Sequence, residues 1–144
     1  MGIIVTDAGF REEEDGLQAM TLDELQGADE TALPRRIVLA VENTVDTDSL
    51  QSWFSHVEQI EIPFPSFADG RGFSIARELR QLGYAGRLRA TGHLIADQYA
   101  HARRVGFDEV EISEDMAARQ PEAQWLARAG WQNHFYQKRL QATA

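Results

Sequence analysis

Between Arg36 and Ile112, short apolar runs alternate with longer stretches whose apolar residues recur at helical spacing. No other feature narrows the fold as much. Ile37-Val38-Leu39-Ala40-Val41 has no polar face, as in a strand buried on both sides of a sheet. Glu42-Asn43-Thr44 ends it, and Thr47 or Asp48 then caps a helix with Leu50, Trp53, Phe54 and Val57 at i, i+3, i+4 and i+7. A second strand is predicted over Gln59–Phe64; Pro63 marks it as an edge or a strand end, because proline cannot donate to a ladder. A second helix starts near Gly70–Phe73, turns Ile75, Ala76, Leu79 and Leu82 inward, and stops at Gly83. The third strand is Arg87–Thr91, the third helix runs from about Ile95 to Val105, and the fourth strand is Glu109–Ile112. Short links in such a β-α-β-α-β-α-β series imply parallel strands and right-handed crossovers. The expected fold is therefore α/β: a single domain of repeated βα units with a mainly parallel sheet, an open doubly wound sheet in preference to a half-barrel.

The flanks are less regular. Gly2–Thr6 reads as a strand before a turn at Asp7-Ala8-Gly9, and residues 20–26 as a helical turn or two, with Thr21 and Glu24 as a capping box. Gly27 to Pro34 reads as a loop. Pro121–Ala129 reads as a helix broken at Gly130-Trp131, and Phe135-Tyr136 as either a last strand or a continued helix. Of the net charge of −9, residues 1–31 carry −8, from nine acids against one base. On this basis residues 1–34 form an acidic arm and 35–144 the α/β domain. The arm is either a solvated lead-in or a docking tag for a basic partner. No basic face outweighs the acids, so nucleic acid is not an expected partner. With no cysteine, disulfides, thiolate nucleophiles and cysteine-ligated clusters are excluded, and a cytoplasmic location is the natural expectation. No apolar run approaches a membrane span, and the start does not read as a signal peptide. Pro63 on an edge, together with an aromatic tail at Trp131, Phe135 and Tyr136, points to a homodimer.

Two segments carry candidate chemistry. Ser66-Phe67-Ala68-Asp69-Gly70-Arg71-Gly72-Phe73-Ser74 follows a strand and opens a helix, where free amides and the helix dipole suit an anion. The glycines allow close backbone approach, and Arg71 offers a bidentate donor. A purely structural reading makes the segment a tight turn in which Arg71 pairs with an acid such as Asp69 or Asp97. Gly70-x-Gly72 is no dinucleotide fingerprint: Ile75 stands at the third glycine, and Arg89 stands where an acid would bind a ribose. The second segment is Arg89-Ala90-Thr91-Gly92-His93 with Asp97 and Gln98. His93 and Asp97 are the catalytic candidates, as a histidine and a carboxylate suited to general acid–base work. The expected anion site joins Ser66, Asp69, Gly70, Arg71, Gly72 and Ser74 to a facing wall of Arg89, Thr91 and Gln98 across a crevice at the strand ends. His56, His93, His101 and His134 show no metal-ligand spacing, and no G-x-S-x-G elbow marks a serine nucleophile.

The run from Phe64 through FADGRGFS to Ser74, then Ala76-Arg77, Leu79-Arg80, Gly83-Tyr84, Gly86, Leu88-Arg89-Ala90, Gly92, Asp97-Gln98 and Gly106-Phe107-Asp108, resembles a bacterial family named domain of unknown function 934. The resemblance covers roughly residues 35–112. Members are often labelled as oxidoreductases involved in sulfite reduction and resemble an accessory encoded beside the assimilatory sulfite reductase. The resemblance thus implies a pathway and not a mechanism. The partner it implies is sulfite reductase, with a small oxyanion as a candidate ligand. The alternative it implies is a cofactor-dependent oxidoreductase of sulfur assimilation, with the cofactor unspecified.

Overall fold

The computed structural model describes residues 2–132. Its strands are β1 (Ile3–Thr6), β2 (Gly9–Arg11), β3 (Gln18–Thr21), β4 (Ile37–Ala40), β5 (Gln59–Phe64), β6 (Arg87–Gly92) and β7 (Glu109–Ile112). Its helices are α1 (Leu22–Gly27), α2 (Arg71–Gln81), α3 (Tyr99–Val105), α4 (Glu114–Arg119) and α5 (Glu122–Leu126). Among the described residues all seven strands form one sheet in the order β2-β1-β7-β6-β5-β4-β3. β3 to β7 are mutually parallel, and β1 runs antiparallel to both β7 and β2.

The sheet is open, as expected in preference to the half-barrel. Winding is single. The parallel strands follow one another in sequence order, so right-handed crossovers deliver the connecting helices α1, α2 and α3 to the same face, whereas double winding needs a reversal of strand order. On that face Leu39, Ile60, Ile62, Phe64, Leu88, Ala90, Val110 and Ile112 meet the inner residues of the helices in one core. α2 shows why the sequence folds there. Ile75, Ala76 and Leu79 are at most 5% exposed on one stripe, each large side chain contributing about 1.5–3 kcal/mol of burial. Gly83, at φ 100°, reverses the chain into β6.

Several elements differ from the sequence reading. Pro63 lies on neither sheet edge: β5 is central, and Pro63 sits near its carboxyl end opposite Thr91. The edges are β2 and β3, so the edge-strand argument for a homodimer does not hold. Thr47–Trp53 is a 3-10 helix, started by Asp46, whose side chain accepts from the Asp48 amide at 3.1 Å. Phe135 and Tyr136 lie outside the described residues. Trp131 is described: its indole donates to Asp7 at 3.3 Å and its ring takes the Arg103 guanidinium at 4.9 Å.

The acidic segment is part of the sheet. Gly9, at φ 113°, lets β1 and β2 form a hairpin beside β7, and β3 adds to the far edge. The link between β2 and β3 must therefore cross the whole sheet. Flat, six strand spacings span ~29 Å, while the seven peptide steps from Arg11 to Gln18 reach at most about 25 Å. The sheet therefore coils, drawing its edges together over the helix-free face, and residues 12–17, which turn at Asp15-Gly16, form a strap across it. The strap is held by charge: Glu13 binds Arg89, and Glu14 binds Arg36 at 2.9 Å and Arg87 at 2.8 Å.

Candidate functional site

The carboxyl ends of β3 to β7 form one rim of the sheet, and the loops after β5 and β6 are its most constructed part. Gly92 allows them to meet. At φ 105° it holds a conformation that side chains rarely adopt, and a Cβ there would stand 2.5 Å from the Phe64 carbonyl oxygen. The His93 amide then donates to that same carbonyl at 3.0 Å, and Gln98 reaches across to donate to the Phe67 carbonyl at 2.6 Å. Gln98 is itself fixed, since its side-chain oxygen accepts from the Ile95 amide at 3.1 Å.

The Ser66–Gly72 loop is braced throughout. The Ser66 hydroxyl accepts from the Ala68 amide, and the Asp69 amide closes a turn onto the Ser66 carbonyl at 3.0 Å. Asp69 grips Arg71 as a fork, at 3.0 Å and 2.7 Å, and accepts from Asn43 at 2.9 Å. The pair with Arg71 holds the Asp69 carboxyl down at about 2. Gly72 is needed for packing: a Cβ there would lie 2.5 Å from the Phe64 ring. Ser74 is exposed on the first turn of α2, and Phe67 stands 59% exposed at the loop's crest.

Ser66, Asp69, Gly70, Arg71, Gly72 and Ser74 thus share one loop and helix start, joined to Gln98. The other named residues lie elsewhere. Arg89 and Thr91 alternate onto the helix-free face, where Arg89 is fully buried and bound by Glu13, Glu61, Glu109 and Glu111. Asp97 bonds Arg128 at 2.6 Å, while His93 lines a separate cleft with Asp115 and Arg119. Three contributors were not singled out from sequence. Asn43 was visible only as a strand terminator. Phe67 sat unremarked among polar neighbours. Arg119 belongs to α4, whose start at Ser113, accepting from the Met116 amide at 3.1 Å, is a readable capping signal. Among the described residues no cluster of three metal-ligating side chains occurs and no helix is long and apolar enough to cross a membrane.

Fold and rim together define an α/β protein with a singly wound sheet whose strand ends carry a rigid, partly aromatic loop. The chain belongs to the family described as "Bacterial protein of unknown function (DUF934)", whose profile matches residues 38–144. No curated protein and no solved structure matches the chain.

Proposed function

We propose that the protein is a cytoplasmic accessory of assimilatory sulfite reduction that docks to the reductase through the Ser66–Gly72 loop. The pathway rests on the family resemblance of the FADGRGFS run. The docking surface rests on one observation: Phe67 is held 59% exposed by a loop whose backbone is tied down at Ala68, Asp69 and its own carbonyl. A rigid exposed aromatic loses little conformational entropy on binding and fills a partner's pocket, which is the usual character of an interface hot spot. Arg71, with its side chain 60% exposed beside it, adds a polar rim. An oxyanion at the same loop is the weaker form of the reading, because it must displace Asp69 from Arg71.

Titration of the holo-reductase with the full chain tests the proposal. Phe67→Ala is expected to weaken binding by about 2 kcal/mol or more, roughly 30-fold, with the melting temperature unchanged. Wild-type affinity in that variant would make the loop a structural feature only. A second copy of the chain is the competing occupant of this loop, a different surface from the aromatic tail on which the sequence placed a homodimer, and light scattering without reductase separates the two. The competing reading as a cofactor-dependent oxidoreductase predicts a visible chromophore in the purified protein.

A further inference from the structure

A cleft of about 540 Å3 opens between the carboxyl ends of β6 and β7, where parallel sheets hold their ligands. Its volume falls within the ~300–1,000 Å3 usual for small-molecule sites. His93 enters it from the loop after β6; Asp115 and Arg119 enter from α4; Glu111 comes from β7. The half-buried Met116 supplies apolar surface.

The charges in this cleft are unspent. Asp115 and Arg119 stand at i, i+4 on one helix, the spacing at which opposite charges ordinarily pair. They do not pair here, and among the described residues neither side chain has an ion-pair or hydrogen-bond partner; the same is true of the His93 ring. Elsewhere Arg71, Arg89, Arg103 and Arg128 are each held by a carboxylate, while the exposed Arg77, like Arg119, is not; among the described residues, only in this cleft does such an arginine stand beside a carboxylate that is also without a partner. Glu111 gives Arg89 only a long contact of 3.6 Å. The cleft therefore offers two unengaged nitrogen groups, one unengaged carboxylate and one weakly engaged one beside the apolar Met116. A simple anion would meet the repulsion of Asp115 and Glu111, and a simple cation that of Arg119. A ligand carrying both charges is opposed by neither.

We propose that this cleft binds a small zwitterion of the free amino-acid class. Its carboxylate lies against Arg119 and His93, its ammonium against Asp115 and Glu111, and its side chain over Met116. The inference is independent of the docking loop, because no residue of Ser66–Gly72 lines the cleft.

The test is an amide NMR titration of the full chain with the proteinogenic amino acids at millimolar concentration, followed by the N-acetyl and α-amide derivatives of the best binder. At least one free amino acid is expected to shift the Gly92, His93 and Ser113 resonances saturably. Both derivatives are expected to bind at least about tenfold more weakly, a loss of ~1.4 kcal/mol. Arg119→Ala and Asp115→Asn, both on an exposed surface, should each abolish the shift while leaving the remaining spectrum unchanged. The proposal is overturned if no amino acid moves those resonances, or if the shift survives in both variants. It is equally overturned if the N-acetyl derivative binds as well as the free form, since that describes an anion site.

Discussion

Arg89 has no exposed surface, yet it carries a full charge in the middle of β6. Burial alone works against the charged guanidinium, but the bond from Glu13 and the carboxylates of Glu109 and Glu61 more than offset it and raise its pKa. Gln59, with its amide oriented by its neighbours, accepts from Arg89 at 3.0 Å and donates to Glu109 at 3.1 Å. Glu61 shows the other side of the exchange: burial pushes its carboxyl up even with Arg89 beside it. Removing one member of so buried a set leaves charge without a partner, which costs about 3–5 kcal/mol. Arg89→Ala is expected to lower stability by that amount in urea unfolding, and adding Glu61→Gln to it should restore part of the loss, because Glu61 pairs with no other base among the described residues, whereas Glu109 keeps Arg11. A cost below about 1 kcal/mol would mean that Glu61 is not left as an uncompensated anion. The sequence offered Arg89 as an anion donor because its partner Glu13 lies 76 positions away. A subtler signal was present. Glu61, Arg89 and Glu109 sit in register on adjacent strands, with opposite signs side by side. That is the mark of a self-paired polar face and not of an open site.

At the scale of elements the strap is the least conventional part. Its acids, Glu12 to Asp15, are all exposed, so hydrophobic burial does not hold it to the sheet. Bonds from Arg87 and Arg36 hold the Glu14 carboxyl down from its usual 4.5 to about 2, and the bond from Arg89 lowers that of Glu13. A depressed carboxylate contributes stability in full above its unfolded pKa and loses it as pH falls through the folded one. The strap's hold is therefore complete above about pH 4.5 and fades as pH falls toward 2. NMR of the amides of residues 12–17 is expected to show one transition in that window, moved to higher pH by added salt. Resonances unchanged down to pH 2 would mean that something other than charge fixes the strap. Of the elements themselves, β4 to β7, α2 and α3 were legible because each carries its own period of apolar residues. β2, with three residues, and β3, with one buried residue, have no such period. They are strands because the sheet offers them a neighbour, which a local pattern cannot report. The same holds for the loop after β5: its position and turn residues were readable, but the Asp69 fork on Arg71 was only one of two readings until Asn43 was brought beside it.

At the scale of the whole molecule, the segment read as an arm is structural. Ile4, Val5 and Leu25 have no exposed surface, and Met20 has 8%. β1 covers the edge of β7 along its whole length of pairing, from Val110 to Ile112. Without residues 1–34, β7 and β4 would become the sheet's edges, Arg89 would lose Glu13, and the core would open at Val110 and Leu39. Losing three fully buried apolar side chains at about 1.5–3 kcal/mol each approaches the 5–15 kcal/mol that holds a typical domain together. A chain beginning at residue 35 is therefore expected to lose its cooperative urea transition and to leave the β4 to β7 amides unprotected in hydrogen exchange. A dispensable lead-in predicts the opposite: a sharp transition, with the amides of Ile60, Leu88 and Val110 still protected. The family profile, which begins at residue 38, makes the experiment pointed, because it starts on β4 and omits the three strands that this chain supplies to complete the sheet.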